Sequence, residues 1–107
     1  MAFEHWGYTF EGAFPTPDRL ENRPGIFVVW CRAADEKNWT VIDVGESQDV
    51  KARILSHESA EQWKKLCTGT MFYAATYPPN ISSAGRAEIE KKLIEQAKPL
   101  CRKTAQS

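Results

Sequence analysis

Between the Pro24-Gly25 break and Arg32 the chain runs Ile26-Phe27-Val28-Val29-Trp30-Cys31, six apolar residues in a row. A strand with one wet face alternates apolar and polar positions, whereas an unbroken apolar run has to be covered on both faces. The segment therefore predicts a central strand with a packed layer on either side. Ala34-Asp35-Glu36-Lys37-Asn38 is a polar connection, and the β-branched stretch from Trp39 to Val44 follows it. A short polar link between two such stretches predicts an antiparallel pair.

The second stretch breaks at Gly45 and continues as a helix. Ser47 is placed to cap it, and Asp49 in its first turn complements the helix dipole. A strand that turns on glycine into a helix presents amides and a positive dipole end to whatever lies there. Arg53 and His57 are four residues apart and share one side of that helix. Ser59-Ala60-Glu61-Gln62 has the form of a capping box for a second short helix, with Trp63, Leu66 and Cys67 on one face and Thr68-Gly69 at its end. Thr70 to Tyr77 is the next strand, with Met71, Tyr73, Ala75 and Tyr77 on one face. Ser82 or Ser83 caps a last helix over 84–98, which Pro99 ends. On it Ala87, Glu90, Leu93 and Ile94 fall on the apolar stripe, so Glu90 needs a partner or a metal.

The order is that of one α+β domain: a small three-stranded antiparallel sheet flanked by helices, with an extra N-terminal arm or short strand. The arm, residues 1–23, carries Trp6, Tyr8, Phe10 and Phe14 and is expected to pack on the core, because so many aromatic rings are costly in water. Residues 24–101 form the domain proper and 102–107 a frayed tail. Lys+Arg 14 balances Asp+Glu 14. Proteins that grip nucleic acid by phosphate neutralisation usually carry a basic excess, so only a local basic patch is open to that role. No apolar run reaches the roughly 18 residues of a membrane span, and no signal pattern opens the chain. The expected location is the cytoplasm. Three widely spaced cysteines, Cys31, Cys67 and Cys101, are expected as separate buried thiols there.

Gly25-Ile26-Phe27 on the first core strand and Asp43-Val44-Gly45 on the second stand where the GIY-YIG nuclease superfamily has its two signature tripeptides. Arg53 matches the family's helix arginine, Arg53-Ile54-Leu55-Ser56-His57 resembles the Arg-x-x-x-His of several branches, and Glu90-Lys91-Lys92-Leu93-Ile94 with Pro99 resembles its last helix. The resemblance covers residues 24–101. It implies an endonuclease acting on DNA or RNA, with Glu90 holding one Mg²⁺ or Mn²⁺ that polarises the phosphodiester. It also implies Arg53 as a clamp on the scissile phosphate and His57 as a further acid or base.

The family's two tyrosines are replaced, by Phe27 and by Asp43, and Glu46 follows Gly45 where a phosphate-friendly side chain is common. Phenylalanine fills the ring's place but moves no proton. Two readings stay open. Either Asp43, Glu46 and Glu90 assemble a remodelled metal site, or Arg53 pairs with Glu90 or Asp43 and the fold serves as a non-catalytic nucleic-acid-binding or protein-interaction module.

Overall fold

The computed structural model describes residues 2–33 and 37–101. Residue 1, residues 34–36 of the 34–38 connection and the tail at 102–107 lie outside the described residues. The chain is α+β, built on one sheet of five strands in which every pairing is antiparallel. Strand β1 (Ala2–His5) and β2 (Tyr8–Phe14) form a hairpin, and β3 (Gly25–Arg32) and β4 (Trp39–Ser47) form a second. Helices α1 (Val50–Leu55) and α2 (Ala60–Leu66) precede β5 (Thr70–Thr76), and α3 (Ser83–Ala97) closes the fold. The spatial order is β1-β2-β5-β3-β4.

The apolar run lies where both of its faces are covered. Phe27, Val29 and Cys31 join Leu20, Ile42, Val50, Ile54 and Trp63 in one cluster. Ile26 and Val28 join Phe10, Val41, Val44, Ala74 and Leu93 in the other. The three strands expected from the sequence are the β4-β3-β5 half of the sheet. The remaining two come from the aromatic arm, which continues the sheet by pairing β2 with β5. Its hairpin turn puts Trp6 at φ 52, a left-handed conformation that non-glycine residues seldom adopt. Trp6 stacks on Trp30 at 5.5 Å and 7°, a contact that helps to hold the turn.

One register shift sets up the polar site. Val29 pairs with Asp43 and Trp30 with Val41, which leaves Ile42 as the extra residue of a bulge. The bulge turns Ile42 and Asp43 to the same side, toward α1 and α2. Gly45 faces that side too, directly opposite Phe27, and a Cβ there would run into the Phe27 ring. Gly25 is confined in the same way by the Thr76 carbonyl. Both signature glycines are thus fixed by close packing inside strands. The outer edge of β4 is closed by the C-terminal segment, where Leu100 and Cys101 donate to Val41 and Ile42 at 3.1 and 2.7 Å.

The cysteine expectation is corrected. Cys31 and Cys67 form a disulfide across a sequence separation of 36, with Cα atoms 5.5 Å apart, and Cys101 is buried outside that bond. The spacing gave no sign of it, because only the fold brings the end of α2 beside β3. Among the described residues no helix is long and apolar enough to cross a membrane.

Candidate functional site

Of the residues singled out by the sequence, Gly25 and Phe27 lie on β3, Asp43 and Gly45 on β4, Arg53 on α1, His57 just after it, and Glu90 on α3. Asp43 is 1% exposed. Burying a carboxylate is expensive unless donors surround it, and two are present. Its Oδ1 accepts from the Val44 amide at 2.8 Å, and its Oδ2 accepts from the Trp63 indole N–H at 2.8 Å. Phe27 lies beside it in the core, edge-on to His57 at 5.8 Å and to Trp63 at 6.5 Å. Phe27 is therefore a core residue with no exposed surface.

His57 is also buried, with its ring 4.5 Å from that of Trp63. Its Nδ1 accepts from the Ser59 amide at 3.0 Å, so this nitrogen serves the turn between α1 and α2.

Arg53 projects from α1 toward solvent, with a side chain 34% exposed, and closes on Glu58 rather than on Glu90 or Asp43. The pair is bidentate: Nη1 to Oε1 at 2.6 Å and Nη2 to Oε2 at 2.8 Å. Such a fork is the strongest geometry open to an arginine and a carboxylate. The bonds from Glu58 are the main reason the Arg53 pKa is raised, and the charges of Asp43 and Glu46 add to it. In the other direction, the Arg53 guanidinium holds the Glu58 carboxyl down at about 2. A depressed carboxyl contributes stability above its unfolded pKa, and that contribution is lost as pH falls through about 2. An NMR titration should place Glu58 near that value, and Arg53→Ala should return it toward the ordinary glutamate range. A normal Glu58 titration in the unaltered protein would rule out the closed fork in solution.

Glu46 is likewise engaged, since its Oε1 accepts from Arg86 Nε on α3 at 2.8 Å. Arg86 is buried, one residue before the expected apolar stripe begins at Ala87. The buried positions of α3 are Arg86 and Leu93, while Ile94 is 39% exposed and Ala87 is exposed, so the stripe is rotated from the expected one. Glu90 is partly buried on the same helix.

The amides at the start of α1, expected to face a ligand, are taken by the chain itself. Val50 and Lys51 donate to the carbonyls of Arg23 and Glu21 at 3.0 and 3.2 Å, and Ala52 donates to Asp49 Oδ1 at 3.1 Å. Asp49 is the cap; Ser47 is still in β4 and its Oγ accepts from the Asp49 amide at 2.9 Å. At α3, Ser82 caps by accepting from Gly85.

Among the described residues, no three of His, Cys, Asp and Glu are grouped so as to hold a metal ion. Asp43 accepts two N–H bonds and Glu46 Oε1 accepts from Arg86, so both carboxylates are engaged by donors of the chain itself. The sequence reading missed the three residues that close the site: Glu58, Trp63 in its polar role, and Arg86. Glu58 is five residues from Arg53, beyond the helical i,i+4 spacing, and it reaches the arginine only because α1 ends at Leu55.

No protein-family model, curated protein or solved structure matches the chain.

Proposed function

We propose that this chain is a divergent GIY-YIG-like domain that binds DNA or RNA without hydrolysing it. The family assignment comes from the register of Gly25, Gly45, Arg53, Glu90 and Pro99 in the sequence. One observation carries the non-catalytic half: Asp43, in the position of the second family tyrosine, is buried with both oxygens accepting N–H bonds. A carboxylate buried to 1% exposure and bonded to two N–H donors is poorly placed to take a proton from an attacking water. Phe27 has no hydroxyl and Glu46 Oε1 is tied to Arg86, so neither of these two supplies the missing base.

The binding half is supported by cations rather than by net charge. Arg53 is partly exposed next to Lys51, and α2 exposes Lys64 and Lys65. Glu58 then regulates the phosphate clamp by occupying the fork that a phosphate would use. Anisotropy titrations of labelled single- and double-stranded DNA and RNA over a salt series test this reading. Affinity should fall as salt rises, and Arg53→Ala should weaken binding about tenfold, the worth of one charge-assisted contact. Glu58→Gln, which frees the fork, should tighten it about threefold. Salt-independent binding, or an Arg53→Ala variant that binds like the parent, would remove phosphate recognition from the account.

A second reading, a protein-interaction module, is favoured by one feature. Phe3, His5, Ala13, Trp30 and Trp39 line an apolar groove on the α3 side of the sheet, and Trp39 is 44% exposed. A stable dimer or complex in solution-mass measurements, lost on Trp39→Ser, would shift the balance to it.

A further inference from the structure

Helix α2 is seven residues long and buries one residue fully, Trp63. A helix this short does not persist in water by itself; its packing holds it. Two attachments do so. Trp63 enters the core and gives its indole N–H to Asp43 at 2.8 Å. Cys67, at the C-terminal cap, is bonded to Cys31 of β3 and donates its amide to the Trp63 carbonyl at 3.0 Å. The disulfide and the indole therefore secure the same turn of the same helix.

We propose that the Cys31–Cys67 disulfide is a redox latch on α2, whose reduction by a dithiol frees the helix, withdraws Trp63 from Asp43 and uncovers the packed core around Asp43, Phe27 and His57. The inference rests on these contacts and not on nucleic-acid binding, so each stands or fails separately. The two sulfurs differ in access. Cys31 is 6% exposed, whereas Cys67 is partly exposed and followed by the exposed Thr68 and Gly69. The thiolate of a dithiol attacks the Cys67 sulfur; the bond to Cys31 breaks, and Cys31 leaves with the electron pair and takes a proton. The second thiol of the reductant then attacks its own sulfur in the mixed disulfide and releases Cys67, which is protonated in turn. Two electrons and two protons pass to the protein, and the dithiol becomes a disulfide.

Once the covalent attachment is gone, the helix is held mainly by Trp63, with Ala60 and Leu66 packed only in part. Each excursion of Trp63 takes the indole donor away from the Asp43 carboxylate, a loss that favours entry of water beside it. Opening at the helix and hydration at the carboxylate thus favour each other.

Amide hydrogen exchange of the whole chain, oxidised and after treatment with dithiothreitol, tests the latch. Protection of the α2 amides should fall on reduction by at least about tenfold more than that of the β3 and β5 amides, the signature of a local opening. The Trp63 indole proton, assigned by its loss in Trp63→Phe, should change from slow to fast exchange. The double variant Cys31→Ala with Cys67→Ser should reproduce the reduced pattern without reductant. Equal loss of protection in α2 and in the two strands would overturn the proposal, as would an indole proton that stays slow in the reduced protein.

Discussion

Trp63→Ala is expected to lower the unfolding free energy by at least about 4 kcal/mol, the usual range for emptying a buried large aromatic site. Two losses combine. The indole is 1% exposed, shares one core cluster with Phe27, Ile42 and Ile54 and lies against the His57 ring, so its removal leaves a cavity in a domain with little core to spare. It also deprives Asp43 Oδ2 of its donor, and a buried carboxylate short of a partner costs a further ~1–3 kcal/mol. Trp63→Phe separates the terms: it keeps most of the ring volume, loses the N–H, and should cost about 2 kcal/mol. Adding Asp43→Leu to Trp63→Phe should recover part of that cost, because no buried charge then lacks a donor. Urea unfolding of the four proteins reads these differences. A Trp63→Phe variant as stable as the parent would mean that the indole bond does not hold the carboxylate.

Breaking the Cys31–Cys67 bond should cost about 4 kcal/mol, the chain-entropy estimate for a loop of this length. The ring it closes spans a sequence separation of 36 and includes β4, α1 and α2, so the cross-link restricts about a third of the unfolded chain. The check is a pair of urea transitions, with and without reductant, joined to a thiol count under denaturing conditions. The oxidised chain should show one reactive thiol, Cys101, and the reduced chain three. Three thiols before reduction, or coincident transitions, would contradict the bond.

What could be read from the sequence was whatever depends on near neighbours. The apolar run from Ile26 to Cys31 pointed to a strand covered on both faces, and β3 lies inside the sheet between β5 and β4. Proline and serine near 78–83 and Pro99 marked the limits of α3. The β1–β2 hairpin was not legible as two strands because Trp6 occupies a turn position that sequence rules reserve for asparagine or glycine. The bulge at Ile42, which turns Asp43 inward, leaves no trace in an apolar stretch. The closing contacts were hidden for a related reason: Arg86 meets Glu46 and Trp63 meets Asp43 across sequence distances of 40 and 20 residues. Neither partner is marked by any local pattern. The sequence pointed to Asp43, Arg53 and His57 but gave no sign of the contacts with Trp63 and Glu58 that produce their closure.

That closure is the central claim, and a cleavage assay tests it most directly. Purified protein incubated with single- and double-stranded DNA and RNA, with Mg²⁺ or Mn²⁺, should leave every substrate intact at concentrations where anisotropy shows it bound. Phosphodiester cleavage by the unaltered protein that is lost in Glu90→Ala would show that the junction opens into a working metal-dependent site, and the non-catalytic account would be wrong.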